Sequence, residues 1–168
     1  MPTTSGGIRL PPPAWIGLIV KDREKSIEYF SSFWGIGSWE TFEYSPQKDT
    51  MVAGEPFRVK VAYGDLGGGL RLQLLEPVDG KGAQMQFLET KGEGLFCIAY
   101  QVSNFDDMVS RMQEQGGRVI EGALFHGLRW CYIQTKPEGI IIEFEEKLQK
   151  PDPIIIKEVN YHTRRLAI

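Results

Sequence analysis

The chain contains only two histidines and two cysteines among its 168 residues. A metal site with two imidazole ligands would therefore have to use both His126 and His162. The two cysteines, Cys97 and Cys131, fall in apolar segments with strand character, which does not suggest the disulfide framework of a small secreted domain. The first interpretation of each is a small buried hydrophobic residue, and a reducing cytoplasm is the expected compartment.

The sequence also lacks a basic surface pattern and a long apolar run. Its formal net charge is −3 and its 19 Lys and Arg residues are scattered, so it has no positive stripe of the kind that binds nucleic acid. No apolar segment reaches the roughly 20 residues that span a bilayer. Residues 1–13 have no apolar centre of the kind found in signal peptides. We therefore expect neither a nucleic-acid partner nor a membrane partner.

What the sequence does contain is an internal repeat. Residues 15–22 and 97–104 are each an apolar, strand-like segment followed by a helix-like run. Each half then ends in a further strand, residues 70–77 in the first and 140–146 in the second. A repeat constrains the architecture of the whole fold. The pattern predicts an α+β fold of two βαβββ modules that share one site.

Composition predicts the module boundaries. Residues 1–13 are predicted to be a flexible lead that ends in three prolines, and the modules are predicted at 14–77 and 94–146. The glycine-rich, polar segment between the modules is predicted to be a linker. Residues 41–56 are polar and irregular, which favours a loop or a mobile flap.

The C-terminal tail, residues 147–168, contains the apolar triplet Ile154-Ile155-Ile156. A triplet of this kind packs either across its own domain or onto a neighbouring subunit, and both alternatives stay open. Because a curved sheet leaves open edges that need covering, we expect a homodimer in which the tail is a plausible cover.

Glu143 is the most informative single residue, because it lies within the apolar strand segment 140–144. A buried carboxylate without a partner is costly, so Glu143 must either face water or meet a cation or a hydrogen-bond donor. An alternating strand places it on one face with Ile141 and Glu145, which is also the pattern of an ordinary solvent-facing stripe. The repeat favours a site instead, because Gln73 falls at the equivalent place in the first half.

At these residues the sequence resembles the vicinal oxygen chelate superfamily, which includes glyoxalase I, bleomycin-resistance proteins and extradiol dioxygenases. The resemblance rests on IGLIVKDREKSIEYFSSFWGIGSW, LQLLEP, GEGLFCIAYQV and GIIIEFEE, in that order. It covers most of residues 14–146, and the likeness is closest to the methylmalonyl-CoA epimerases. It implies a glyoxalase-like domain in which the two modules form a curved mixed sheet around a cleft, commonly in a homodimer.

In that family a metal ion is bound by one residue from the first strand and one from the last strand of each module. The resemblance places Gln73 and Glu143 at two of these positions, but Trp15 and Cys97 where the epimerases have histidine. An indole nitrogen only donates hydrogen bonds, and a thiolate suits softer metals than carboxylate or amide oxygen does. The candidate metal ligands Gln73, Cys97 and Glu143 thus form a degenerate site. We expect no cofactor unless a divalent metal ion occupies it.

The resemblance implies an isomerase or lyase that moves a proton on a small carbonyl or acyl-CoA compound. Such chemistry needs a base near the carbon and a positive group at the developing enolate oxygen. Glu143 is the candidate base, and Glu55 lies near the place of another catalytic glutamate of the epimerases. The alternative function is metal-free binding or sequestration of a small molecule, as in the bleomycin-resistance proteins.

Four residues are candidates for substrate binding. The aromatic side chains of Trp15, Tyr100 and Trp130 could line a cleft, although aromatic residues in strands are more often simply core. Arg129 could hold an acidic substrate, although an isolated cation on a strand is usually solvated.

Overall fold

The structure, a computed structural model, describes residues 8–135 and 139–149 and the backbone of residues 164–167. The elements are, in chain order, β1 (Trp15–Ile19), α1 (Arg23–Trp34), β2 (Ser38–Tyr44), β3 (Met51–Ala53), β4 (Phe57–Gly67), β5 (Leu70–Gly80), α2 (Ala83–Lys91), β6 (Gly94–Gln101), α3 (Phe105–Glu114), β7 (Arg118–Phe125), β8 (Leu128–Gln134), β9 (Ile141–Lys147) and β10 (Arg164–Ala167). The strands of the described residues belong to one sheet, in the order β10-β2-β4-β5-β1-β6-β9-β8-β7-β3.

Two modules of matching topology make up most of this sheet. The first contributes β2-β4-β5-β1 and the second contributes β6-β9-β8-β7, and each has one helix after its first strand. The modules join where β1 pairs with β6 in the antiparallel direction, with Ile16 opposite Ile98. The predicted α+β fold, with two βαβββ modules in a curved mixed sheet, is therefore confirmed.

The two modules share the same register around this join. In the first, β1 and β5 are parallel and Gly17 lies beside Gln73. In the second, β6 and β9 are parallel and Ala99 lies beside Glu143. Ile16 and Ile98 face each other across β1 and β6, and Gly17 and Ala99 are the residues that directly follow them. Gln73 and Glu143 are thus equivalent residues of the two modules.

Helix α1 has a side-chain cap at its start and a glycine at its end. Oδ1 of Asp22 accepts a hydrogen bond from the backbone nitrogen of Lys25, which caps the first turn. Gly35 ends the helix with a positive φ of 66°, a conformation that glycine adopts without strain. Ile27 is the buried residue of the helix, and it packs in the cluster that contains Trp39 on the helix side of the first module.

The largest core cluster draws its side chains from both modules. Ile19 and Leu75 come from the first module, and Trp130 and Tyr132 come from the second. Helix α2 packs onto this cluster. Helices α1 and α3 pack into other clusters. The cluster between the modules is therefore a separate interior, and it is rich in aromatic side chains.

Two segments that were predicted to be irregular form regular structure instead. Residues 41–56 contain most of β2, a short 3-10 turn at Lys48–Thr50 and β3, and β3 pairs with β7 of the second module. The predicted linker contains the end of β5 and all of α2. The polar composition of both segments gave no sign of regular structure. Strand β2 has one exposed face, and α2 has a single buried residue, Gln84, instead of an apolar stripe.

The ends of the chain lie against its own sheet where they are described. Ile8 and Leu10, in the predicted flexible lead, pack against the cluster that contains Phe105 of α3. In the tail, β10 pairs with β2 of the same chain, whereas the Ile154-Ile155-Ile156 triplet lies outside the described residues. Within the described part of the chain, no helix has both the length and the apolar character needed to cross a membrane.

Candidate functional site

The candidate site lies where β1, β5, β6 and β9 meet at the centre of the sheet. Trp15 is fully buried there, and its indole Nε1 donates a hydrogen bond to Oε2 of Glu143 at 3.1 Å. The thiol sulfur of Cys97 lies 3.6 Å from the same oxygen and donates to it. The two contacts connect both modules through one carboxyl group. They also supply the hydrogen bonds that a buried carboxyl group requires.

Gln73 occupies the matching place in the first module and is also buried. Its Nε2 donates a hydrogen bond to the Tyr63 hydroxyl group at 2.6 Å, whereas its Oε1 has no hydrogen-bond partner among the described residues. Gly17 leaves space between the two modules at this point. A Cβ atom at Gly17 would lie 2.6 Å from Sγ of Cys97 and 2.9 Å from Oε1 of Gln73.

A cavity of about 50 Å³ opens beside Gln73 and Glu143. That space suffices for one or two water molecules or a small head group. Half of the residues in its wall are aromatic: Phe42, Tyr44, Phe57, Tyr63, Phe125, Trp130 and Tyr132. Its non-aromatic polar wall consists of Gln73, Gln84, Glu143 and Glu145. Gln73 and Glu143 therefore line one cavity, as the repeat predicts.

Burial controls the protonation of the groups at the centre. Burial, followed by the charge of Glu145, raises the pKa of Glu143 to about 8, although hydrogen bonds from Trp15 and Cys97 oppose the rise. Burial and the charge of Glu143 also raise the pKa of the Cys97 thiol well above its usual range. Cys97 is therefore a neutral thiol at neutral pH, and Glu143 can gain or lose a proton near neutrality.

Arg71 flanks the cavity on the side of the first module. Its guanidinium group lies over the ring of Tyr63, at 4.3 Å, and over the ring of Trp15, at 5.1 Å. The pKa of Glu145 is raised by burial, and a hydrogen bond from Gln101 and the charge of Arg71 oppose that rise. Arg71 is not part of the cavity wall.

The resemblance of the sequence to the epimerases implies a divalent metal ion at this centre, but the residues present do not fit one. The indole N–H of Trp15 points toward Glu143, and an indole nitrogen has no lone pair to offer a metal ion. Cys97 is a protonated thiol that donates to the same oxygen, and metal binding requires the thiolate. Gln73 and Glu143 then have too few free oxygen atoms for a hard ion. Across the described ranges, no group of three or more His, Cys, Asp or Glu residues is arranged to hold a metal.

Two of the predicted substrate-binding residues, Tyr100 and Arg129, do not reach the cavity. Tyr100 packs against Phe144 in the cluster on the α3 side of the sheet. Arg129 forms ion pairs with Asp106 and Glu146. Strand alternation explains both positions, because neighbouring residues of a strand point to opposite faces.

Of the remaining predicted residues, one lines the cavity and two do not. Trp130 lines the cavity and donates a hydrogen bond from Nε1 to the Tyr44 hydroxyl group at 3.0 Å. Trp15 is not part of the cavity wall, and its indole group is hydrogen-bonded to Glu143. Glu55 is exposed in the connection between β3 and β4 and is not part of the cavity wall.

Sequence reasoning missed a second pair of equivalent residues. Tyr63 pairs with Gln73 across β4 and β5, and Tyr132 pairs with Glu143 across β8 and β9. Both tyrosines line the cavity. The repeat contained the signal, because each tyrosine lies on the strand before the polar residue with which it pairs. Gln84, on α2, had no such signal, because it lies in the segment predicted to be a linker.

Known proteins resemble the chain in sequence pattern and in fold. A family model described as the Glyoxalase/Bleomycin resistance protein/Dioxygenase superfamily matches residues 15–132. No curated protein matches the chain by sequence. Three of the solved structures that match the chain are described below, and at their levels of identity the likeness concerns the fold alone.

The first of these structures is a methylmalonyl-CoA epimerase from Mycobacterium tuberculosis, with 24% identity, coverage of 87% of this chain and 95% of that chain, and a TM-score of 0.58. The second is a variant of the Streptomyces coelicolor methylmalonyl-CoA epimerase in complex with 2-nitronate-propionyl-CoA, with 22% identity, coverage of 83% and 99%, and a TM-score of 0.60. The third is a hypothetical protein from Bacillus halodurans, with 20% identity, coverage of 83% and 96%, and a TM-score of 0.58.

Proposed function

Because the chain belongs to the glyoxalase/bleomycin resistance protein/dioxygenase superfamily, we propose that it binds a small organic molecule in its central cavity without a divalent metal ion. The hydrogen bond from Trp15 to Glu143 carries this proposal. It engages the carboxyl group that the family uses as a metal ligand, and it places an indole ring where the epimerases have an imidazole. The function is then binding or sequestration, as in the bleomycin-resistance proteins.

The lining of the cavity supports this function. Ligand sites in proteins are mostly apolar and contain a few polar groups that orient the ligand. Here Trp130 and Phe125 contribute aromatic wall, and Gln73 and Glu143 contribute polar groups near the centre of the sheet. Aromatic walls bind planar or cationic groups through their ring faces.

A binding screen on chelator-treated protein tests the proposal. Aromatic small molecules should raise the melting temperature and give the same dissociation constant before and after chelation. Phe125→Leu should weaken that binding, because Phe125 lines the cavity, whereas Phe33→Leu should not, because Phe33 is exposed on α1. Binding that requires an added divalent ion would contradict the proposal.

A second candidate function is proton transfer on a small carbonyl or acyl-CoA compound, as an isomerase or lyase. One property of Glu143 favours it: its carboxyl group lines the cavity and its pKa lies at about 8, which suits general acid–base catalysis near neutral pH. The hydroxyl groups of Tyr63 and Tyr132 are the neutral donors available to a developing enolate oxygen. Phenol and neutral carboxyl groups are able to perform that role without a metal ion.

Exchange of the α-proton separates the two candidates. In D₂O, an enzyme of this kind incorporates deuterium into methylmalonyl-CoA or a simpler acyl-CoA, and NMR follows the loss of the α-proton signal. Glu143→Gln should abolish the exchange, because it removes the basic carboxylate and keeps the shape. Glu55→Gln should leave it unchanged, because Glu55 is exposed and outside the cavity wall. No exchange above the rate in buffer would leave binding as the function.

A further inference from the structure

We propose that the cavity recognises a primary ammonium group, so that the ligand is a small amine whose head group occupies the cavity and whose apolar or aromatic body lies outside it. This inference rests on the proposed metal-free binding function and specifies the class of ligand for the same cavity. It follows from the surplus of hydrogen-bond acceptors in the wall, the aromatic faces around them and the size of the space.

Among the residues described, two acceptor atoms of the cavity wall lack a hydrogen-bond donor. Oε1 of Gln73 and Oε1 of Gln84 are buried and have no hydrogen-bond partner in the part of the chain that the structure describes. Buried acceptors are costly when they are left without a donor. The ligand that completes this wall must therefore bring N–H or O–H groups.

The wall of the cavity can carry negative charge but not positive charge. Glu143 and Glu145 line the cavity, and no lysine or arginine is among the residues of its wall. The guanidinium group of Arg71, which is not part of the wall, lies over the rings of Tyr63 and Trp15 and opposes the rise that burial causes in the pKa of Glu145. A carboxylate or phosphate group in the cavity would be desolvated next to Glu143 without a cation to compensate it. A cation would instead gain a carboxyl partner there.

The aromatic wall favours a cation as well. Ring faces attract an ammonium group, most strongly in a desolvated setting. Tyr44, Phe57 and Trp130 pack edge-to-face around one another in this wall, with ring centroids 5.7 to 6.2 Å apart. Phe125 lies 4.5 Å from Tyr44, also edge-to-face. Such an arrangement presents several ring faces and edges to one small volume.

The size of the space separates a primary ammonium from other cations. The cavity measures about 50 Å³, which is close to the volume of one or two water molecules. A primary ammonium group is compact and carries three N–H donors, as the lysine head group does. A quaternary ammonium group is larger and has no donor, so it could not satisfy Gln73 or Gln84.

Four probes with one aromatic body and different head groups test the inference on the chelator-treated full chain. They are benzylamine, benzyl alcohol, benzoate and benzyltrimethylammonium, titrated by isothermal calorimetry. Benzylamine should bind at least about tenfold more tightly than benzyl alcohol, and benzoate and benzyltrimethylammonium should bind more weakly than either. The series needs no variant, so it does not depend on whether a substitution folds.

Two variants then locate the head group. Glu143→Gln should remove the preference for benzylamine over benzyl alcohol, whereas Glu146→Gln should keep it, because Glu146 pairs with Arg129 outside the cavity. Benzoate or benzyl alcohol binding as tightly as benzylamine would overturn the inference and leave metal-free binding intact. The absence of benzylamine binding would overturn it too. Benzylamine binding that needs an added divalent ion would overturn the proposed function itself.

Discussion

The indole nitrogen of Trp15 and the carboxyl oxygen Oε2 of Glu143 lie 3.1 Å apart, and their hydrogen bond joins the first strand of one module to the last strand of the other. Both residues are buried. The resemblance to the epimerases places a metal-binding histidine at Trp15 and a metal-binding carboxylate at Glu143. In this chain the direct bond between the two side chains connects the modules at the point where the family uses an ion.

Trp15→Phe removes the donor and keeps an aromatic ring. Because the Trp15 hydrogen bond lowers the pKa of Glu143, its loss should raise that pKa above about 8 and destabilise the fold most strongly once Glu143 ionises. Urea unfolding should show a loss of roughly 1–3 kcal/mol that grows between pH 6 and pH 9. Trp39→Phe is the matched control, since Trp39 is equally buried but donates to the Ser31 hydroxyl group. A loss of the same size at every pH would contradict the assigned role of Trp15.

Gly17→Ala places a methyl group between the modules. It would lie 2.6 Å from Sγ of Cys97 and 2.9 Å from Oε1 of Gln73, so we expect a loss of about 1–3 kcal/mol from overpacking. Adding Cys97→Ala should recover part of that loss by removing the sulfur. Gly37→Ala has open space around it and should be close to neutral. Equal stability of the Gly17 and Gly37 variants in urea unfolding would show that the centre is not closely packed.

The stability of the fold should decrease as the pH rises from about 5 to about 7. Glu121 is buried and accepts hydrogen bonds from the Ala83 backbone nitrogen and from Nε2 of Gln84. Burial raises its pKa from 4.5 to about 7, so the folded state binds the proton more tightly than the unfolded state does. The protonated Glu121 therefore stabilises the fold fully below pH 4.5, the pKa of the unfolded chain. This stabilisation, on the order of 3 kcal/mol, is lost as the pH rises to the folded pKa of about 7.

Glu121→Gln isolates this contribution. The variant carries no titrating proton, and rotation of the Gln84 amide would let its unpartnered Oε1 accept a hydrogen bond from the new amide group. Relative to the unsubstituted protein, the variant should gain stability between pH 5 and pH 7 in urea unfolding. A difference between the two proteins that does not change with pH would contradict the raised pKa of Glu121.

The sequence predicted the parts of the molecule that follow from periodicity and repetition. The apolar strand around Glu143 and its counterpart at Gln73 predicted the shared cavity, because equivalent strands of a repeat converge about one axis. The helix α2 and the strand β3 could not be predicted in this way, since each is short and buries little apolar surface. Arg129 and Tyr100 were assigned by residue type alone, and only the register of their strands shows that they face away from the cavity.

The homodimer remains a prediction, and the surface of α1 offers an alternative to the tail as its interface. Tyr29, Phe33 and Trp34 are exposed, and Tyr29 stacks on Phe33, which forms an aromatic patch of the kind found at interaction sites. Sedimentation velocity at micromolar concentration should show a dimer. Phe33→Ser should weaken it if α1 forms the interface, and truncation after Gln149 should weaken it if the tail does. A monomeric unsubstituted protein would contradict both alternatives.

The metal content of the centre is the most direct test of the account. Calorimetric titration of the chelator-treated protein with Zn²⁺, Co²⁺ and Mn²⁺ should detect no stoichiometric binding at the cavity. The double variant Trp15→His, Cys97→His is the positive control, because it restores two imidazoles beside Gln73 and Glu143, and it should bind one ion per chain. Stoichiometric binding by the unsubstituted protein that is lost in Glu143→Gln would contradict the metal-free account and assign Gln73, Cys97 and Glu143 to a working metal site.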